Sequence, residues 1–125
     1  MTDLMTIANG ELSASVAVRG AELFALRYRE RDYLWHGDPT WWASRAPMLF
    51  PVVGKSPDGK IRIDGKPYPM PPHGFVRERG LKIAEHEARR ICLELTDDPS
   101  TRAMYPFAFN LRIEFDVRED RLEIV

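Results

Sequence analysis

Hydrophobic and polar residues alternate with a period of two along much of the chain. The alternation is clearest near the carboxyl end, where apolar side chains at odd positions from Leu111 to Val117 are separated by polar ones. Successive side chains of a strand point to opposite faces, so this pattern predicts a β-strand with one face in water. The same reasoning predicts further strands at 12–18, 23–28, 33–35, 61–63, 67–70, 81–86, 91–96 and 121–125.

Turn signals separate these predicted strands at short intervals. Asn9-Gly10, Asp58-Gly59 and Asp64-Gly65 favour tight reversals between antiparallel neighbours, and the segment 97–99 combines two aspartates with a proline. Only residues 99–104 have the features of a helix start, with Ser100 as the expected N-cap. The chain is therefore predicted to be all-β, with antiparallel strands that follow one another as in a meander.

A proline-rich stretch interrupts the alternation between Gly37 and Pro72. It contains two of the three tryptophans and the prolines at 39, 47, 51, 57, 67, 69, 71 and 72. Proline has no backbone N–H and a fixed φ, so it disfavours central strands and stiffens loops. We expect ordered loops, edges and a rim here, and binding residues concentrate on such rims.

The segment 121–125 predicts a last strand that ends in two β-branched apolar residues. An unpaired apolar strand edge invites pairing with another chain. We expect either that the chain is the first part of a longer protein or that a partner completes the sheet. The partner would be a second copy, paired or strand-exchanged through this carboxyl-terminal strand.

Composition and charge narrow the class of protein. The 125 residues are 44% hydrophobic and 30% charged, which predicts one folded domain over 1–125. A net charge of −1 predicts no nucleic-acid partner and no attraction to an anionic membrane. Cys92 is the single cysteine, so an intramolecular disulfide is excluded. With no signal-peptide pattern and no long apolar run, a cytoplasmic location is expected.

Motif searches exclude several kinds of site. The three histidines, His36, His73 and His86, are far apart in sequence and none lies in a metal-binding motif, so no metal site is expected. The glycines form no nucleotide-binding loop, and no serine nucleophile elbow is present.

His73 is the strongest candidate for a functional side chain. Two prolines precede it and Gly74 follows it, so the imidazole would be held by stiff backbone beside a residue that permits close approach of a ligand. If the segment is extended, Arg77 points to the same face, and the pair would suit an oxygen-rich ligand. The alternative is a structural or solvated histidine. Likewise Trp42 can stack on a sugar ring or pack in a loop, and Lys55 can bind hydroxyls or remain a solvated charge.

Four segments resemble one known family. They are WHGDPTWW, APMLFPVVGK, DGKPYPMPPHGFVRERG and YPFAFNLRIEFDV, and they occur in order over nearly the whole chain. Together they are similar to the amino-terminal part of the aldose 1-epimerase (galactose mutarotase) family, in particular its LacX-like branch. The HGF-x-R element is the most specific of them.

The resemblance implies a fold, an activity and a set of site residues. The fold would be an antiparallel β-sandwich of the galactose mutarotase-like supersandwich type, incomplete at the carboxyl end. The activity would be interconversion of the anomers of an aldose without a cofactor; some relatives act on sugar phosphates. By position, His73 would be the first active-site histidine, and Arg77 would belong to the polar wall. Lys55, Phe75 and Trp42 complete the expected substrate-binding residues.

The resemblance also implies that this chain supplies only part of a catalytic site. In the family the general base is a glutamate and the general acid a second histidine, both in the carboxyl-terminal half. The first hypothesis is therefore an aldose 1-epimerase-like isomerase that contributes the wall of His73 and Arg77. The second is a non-catalytic carbohydrate-binding or interaction module. The third is a structural product that persists only by strand exchange, as an obligate dimer.

Overall fold

Antiparallel strands make up most of the regular structure in the computed structural model, which describes residues 3–125. The first sheet has the order β1-β2-β3-β4, where the strands are Leu4–Asn9, Leu12–Ala17, Leu23–Tyr28 and Arg31–Asp32. The second sheet consists of β7 (Lys82–His86), β8 (Arg90–Thr96), β9 (Asn110–Val117) and β10 (Leu122–Ile124), in the order β10-β9-β8-β7. A separate hairpin pairs β5 (Lys60–Ile63) with β6 (Lys66–Pro69). The prediction of an all-β antiparallel fold is confirmed.

The two four-stranded sheets pack face to face around one apolar core. In β9 the alternation is realised directly, because Ile113, Phe115 and Val117 are buried while Arg112 and its polar neighbours face outward. The core cluster is supplied by both sheets; its members include Met5, Ile7, Ala14, Val16, Ile91, Leu93, Ile113, Phe115 and Val117. Burial of such side chains contributes about 25 cal/mol per Å² of apolar surface, so the period-two pattern is what holds the sandwich together.

Several strand predictions match, one is wrong, and one strand was not predicted. The predicted strands at 12–18, 23–28, 61–63, 81–86 and 91–96 correspond to β2, β3, β5, β7 and β8. The prediction of a strand at 33–35 is wrong, since the strand that pairs with β3 is Arg31–Asp32. The Tyr33 N–H still donates to the Leu26 carbonyl of β3 at 2.8 Å, and the chain then leaves the sheet. Tyr33 remains 54% exposed, so aromatic alternation there does not reflect a buried face. The sequence reasoning also missed β1, whose Met5 and Ile7 are buried.

The one α-helix among residues 3–125 begins at Pro99, as expected, but its N-cap lies two residues earlier than expected. Helix α1 spans Pro99–Arg102, and its N-cap is Asp98 rather than Ser100. The carboxylate of Asp98 accepts a hydrogen bond from the Thr101 N–H at 2.8 Å, and the Thr101 hydroxyl accepts one from the Asp98 N–H at 2.9 Å. Proline favours the first helical position, so Pro99 sets the cap at the residue before it.

The proline-rich region lies outside the two large sheets, as expected. Residues 36–59 are largely irregular, and Asp58-Gly59 belongs to a short 3-10 turn (Pro57–Gly59) rather than to a hairpin. Asp64-Gly65 does form the reversal between β5 and β6. Among the described residues, no helix is long and apolar enough to cross a membrane.

Candidate functional site

His73 lies on a loop that is held by its own backbone and side chain. We call residues 71–79 the His73 loop. The N–H of His73 donates to the carbonyl of Gly54 at 2.8 Å. In return, the Gly54 N–H donates to Nδ1 of the imidazole at 2.9 Å. These two hydrogen bonds join segments 19 residues apart and hold the half-buried ring in one orientation.

The hydrogen bond from Gly54 decides which ring nitrogen can meet a ligand. A nitrogen that accepts an N–H cannot carry a proton itself, so the proton of the neutral imidazole lies on Nε2. The group that His73 can present to a ligand is therefore an N–H donor. Its natural partner is an oxygen acceptor, such as a hydroxyl or ring oxygen.

Gly74 allows the His73 loop to pack closely against the earlier segment that contains Phe50. Its φ is +77°, and a Cβ at this position would lie 1.9 Å from the carbonyl oxygen of Phe50. The next residue, Phe75, donates its N–H to that same carbonyl at 2.9 Å. Only glycine fits this combination of a left-handed backbone and close contact.

Phe75 lies in the core, where it supports the loop. Its ring is 2% exposed and packs against Phe50 and Phe109, with ring centroids 6.0 Å and 6.1 Å away. The sequence predicted a sugar contact for this residue. In the structure the ring has almost no surface to offer a ligand, and it anchors the His73 loop to the core.

Arg77 is not placed as the extended-segment expectation requires. It lies in a 3-10 turn, Val76–Glu78, and His73 has a φ of +65°, so the two side chains are not related by strand alternation. They are linked more directly, because Nη2 of Arg77 donates to the carbonyl of Pro72 at 3.2 Å. The guanidinium therefore braces the backbone immediately before His73.

Arg77 also lines a polar cleft of about 420 Å³. Cavities of this size are suited to small ligands such as a monosaccharide. The cleft wall includes Arg19, Glu22, Phe24, Ser44, Arg77 and Glu78, and His73 does not belong to it. The charged and hydroxyl-bearing residues come from segments far apart in the chain, and the sequence reasoning did not find the contributions of Arg19, Glu22 and Ser44.

The other two predicted sugar-binding residues lie at the margins. Lys55 is exposed and directly follows Gly54, the backbone partner of His73. Trp42 is 51% exposed, and its carbonyl accepts a hydrogen bond from Trp35 Nε1 at 2.8 Å. The two residues after Trp42 line the Arg77 cleft. The structure thus brings Lys55 next to His73 and Trp42 next to the cleft.

The remaining histidines lie on other elements. The ring of His36 packs against Trp35 with centroids 4.5 Å apart, and His86 is exposed on β7. Across residues 3–125, no group of three or more His, Cys, Asp or Glu side chains is placed to hold a metal ion.

A family model decides the relationship of this chain to known proteins. The model described as aldose 1-epimerase matches residues 3–125. The chain belongs to the aldose 1-epimerase family. Among curated relatives, the chromosomal LacX protein of Lactococcus lactis is 24% identical over 115 residues, which are 87% of this chain and 38% of LacX. The predicted resemblance to the LacX-like branch is confirmed.

Solved structures confirm the fold. A galactose mutarotase-like protein from Lactobacillus casei superposes with a TM-score of 0.94 at 31% identity, covering 98% of this chain and 42% of that one. A galactose mutarotase related enzyme from Lactobacillus acidophilus gives a TM-score of 0.93 at 29% identity, covering 98% and 41%. The fold is therefore galactose mutarotase-like. The chain spans about two fifths of the length of these relatives.

Proposed function

We propose that this chain contributes one wall of the active site of an aldose 1-epimerase-like isomerase. His73 donates a hydrogen bond from Nε2 to an oxygen of the sugar near the anomeric carbon. Arg77 and Lys55 supply positive charge and further donors, and Trp42 offers an apolar face to the sugar ring. The proposal is supported above all by the paired hydrogen bonds between His73 and Gly54, which hold the half-buried ring and leave Nε2–H as the donor that it can present to a ligand.

The chemistry of mutarotation explains why a fixed donor is useful. A base removes the proton of the anomeric hydroxyl, an acid protonates the ring oxygen, and the bond between C1 and the ring oxygen breaks to leave an aldehyde. Rotation about C1–C2 and closure on the other face give the second anomer. A donor at Nε2 stabilises negative charge on a sugar oxygen as that bond breaks.

His73 suits the role of donor and not that of base. While Nδ1 accepts from Gly54 and Nε2 carries the proton, the neutral ring has no free lone pair with which to take a proton. Removal of the anomeric proton and protonation of the ring oxygen are therefore assigned to other groups of the complete site.

Sugar binding and catalysis are tested separately. In calorimetry or NMR titration with galactose and glucose, we expect saturable binding by the 125-residue chain that is lost in His73→Ala. His86→Ala is the matched control, because it removes an exposed imidazole from β7 and should leave binding unchanged. An equal loss in both variants, or none in either, would contradict the role of His73.

Polarimetry on freshly dissolved α-galactose tests the isomerase itself. In a protein that accelerates mutarotation, His73→Ala should lower kcat/KM about 100-fold, the usual scale for one positioned transition-state partner. An unchanged rate would remove His73 from the mechanism.

A non-catalytic carbohydrate-binding module is the second candidate. It is favoured by the placement of His36 and His86 on other elements, which leaves the His73 loop with one imidazole among the described residues. Saturable sugar binding without faster mutarotation would support this candidate over the isomerase.

A further inference from the structure

Arg79 connects the carboxyl end of the His73 loop to helix α1. Its Nη1 donates to the hydroxyl of Ser100 at 2.7 Å and lies 3.4 Å from Oδ2 of Asp98, the N-cap of that helix. The side chain is 24% exposed, so this contact is less screened by water than a fully exposed ion pair. The loop is thereby joined to an element 19 residues further along the chain.

The same guanidinium lies over the ring of Phe75. The distance from its Cζ to the ring centroid is 5.6 Å, which is within the range of a cation–π interaction. Phe75 is the buried anchor two residues after His73, and its N–H donates to Phe50. Arg79 thus covers the aromatic ring that fixes the loop to the core.

The backbone of Arg79 adds two further connections. Its N–H donates to Val76 at 2.9 Å, and its carbonyl accepts from Gly20 at 2.6 Å. The residue therefore joins the 3-10 turn, the turn after β2 and the cap of α1. At the other end of the loop, Gly54 holds His73 itself.

We propose that Arg79 is a positioning residue for His73, acting through Phe75 and the cap of α1 without touching the sugar. His73 has a left-handed φ of +65°, which a residue other than glycine keeps only when its surroundings enforce it. Gly54 constrains the backbone and ring of His73 directly by hydrogen bonds, and Arg79 constrains the carboxyl end of the His73 loop. The expected effect on sugar binding rests on the proposed function, whereas the effect on the imidazole does not.

The tautomer of His73 is the direct readout. In two-dimensional NMR that correlates ring nitrogens with ring protons, His73 of the wild-type chain should show one fixed tautomer with the proton on Nε2. Arg79→Met keeps the length and apolar stem of the side chain but removes its charge and donors. We expect its His73 signals to move toward those of a ring that exchanges between both tautomers, with Arg79→Lys in between.

Arg90→Met is the matched control. Arg90 is 26% exposed and pairs with Glu85 and Glu114 on the second sheet. The Arg90→Met variant therefore loses a charge of similar exposure that does not contact the His73 loop. Its His73 signals should equal those of the wild type. If the wild type binds galactose, Arg79→Met should weaken binding about 5-fold or more, the scale of substitutions that act on a site from outside it.

The outcomes separate the two proposals. Unchanged His73 signals in folded Arg79→Met overturn the role of Arg79, whether or not the chain binds galactose. A wild-type chain that binds no galactose contradicts the proposed function and leaves the test of Arg79 intact. If Arg79→Met does not fold, Ser100→Ala decides, because it removes the 2.7 Å hydrogen bond from Arg79 and the 2.6 Å hydrogen bond to Asp98 Oδ1, both at the cap of α1 through which Arg79 acts, and leaves the guanidinium over Phe75 in place. A shift of the His73 signals in that variant supports the inference, and identical signals overturn it.

Discussion

At the scale of single residues, the site depends on two consecutive left-handed backbone positions. His73 and Gly74 have φ values of +65° and +77°. The first is held by hydrogen bonds on both its backbone and its side chain, and the second by the lack of a Cβ. The left-handed backbone at His73 is maintained by these hydrogen bonds and by the close approach of Gly74 to Phe50. The position of the imidazole follows from the glycine as much as from the prolines before it.

Replacement of Gly74 tests this dependence. Gly74→Ala should lower the free energy of unfolding by at least ~3 kcal/mol, because the new Cβ combines left-handed strain with a collision against the Phe50 carbonyl. Gly65→Ala is the control: its φ is +78° but the space around it is open, so only the strain of about 1–2 kcal/mol applies. Urea unfolding of both variants gives the comparison. Equal losses would show that the close approach to Phe50 contributes nothing.

At the scale of elements, the short helix α1 is stabilised by its cap. Four residues are too few for a helix that stands alone, so its geometry is imposed by local hydrogen bonds and packing. Thr101, a residue of α1, is completely buried, and both its N–H and its hydroxyl form hydrogen bonds with Asp98. Asp98 is also the residue that Arg79 approaches from the His73 loop.

The charge of Asp98 should therefore appear in the pH dependence of stability. Hydrogen bonds from the Ser100 hydroxyl and the Thr101 N–H, with the nearby Arg79 charge, lower the pKa of this carboxyl in the folded protein. A lowered folded-state pKa means that the carboxylate stabilises the fold above the ordinary aspartate pKa of about 3.9. That contribution is lost as the pH falls through the folded-state pKa.

Asp98→Asn keeps an effective cap while removing the titration. We expect its stability to fall less steeply than that of the wild type as the pH is lowered below about 4, in urea unfolding at a series of pH values. Ser100→Ala, which removes the strongest of the lowering hydrogen bonds, should give an intermediate slope. Parallel curves for the wild type and Asp98→Asn would contradict the assignment.

At the scale of the whole molecule, assembly depends on the β10 edge of the second sheet, which no other strand of residues 3–125 covers. Strand β10 pairs with β9 on one side, where Val125 and Glu114 exchange both backbone hydrogen bonds. In an antiparallel ladder the residue before such a pair turns its N–H and carbonyl away from the partner strand, so Ile124 presents these groups at the free edge. Its side chain is 46% exposed. Pairing of two copies through this strand stays a prediction.

Sedimentation velocity over a range of concentrations tests the pairing. We expect a dimer for the wild type, and a monomer for Ile124→Pro, which removes the outward N–H while leaving the bonds between β10 and β9 in place. Ile124→Thr is the control, because it keeps the N–H and the β-branch and should still dimerise. A wild-type monomer at all concentrations would exclude this route of association.

Much of the fold is local information and was readable from the sequence. The period-two pattern at 91–96 and 111–117 predicts β8 and β9, because burial of one face needs only alternation within each strand. Asp64-Gly65 predicts the hairpin between β5 and β6, because the turn conformation is a local property of these two residues. Asp98 and Ser100 are both suitable N-cap residues for α1. Pro99 favours the first helical position, so the sequence itself indicates Asp98 as the cap.

The site was readable only in part. The prolines and glycine around His73, together with the family resemblance, single out this residue, since stiff backbone beside a flexible one is a local property. The partner on Nδ1, the burial of Phe75 and the 3-10 turn at Arg77 were decided by the tertiary structure. The first two depend on segments that meet only after the sheets pack: Gly54 lies 19 residues from His73, and the ring of Phe75 packs against Phe50 and Phe109. Alternation records which face of a strand is buried and carries no information about which distant loops then come into contact.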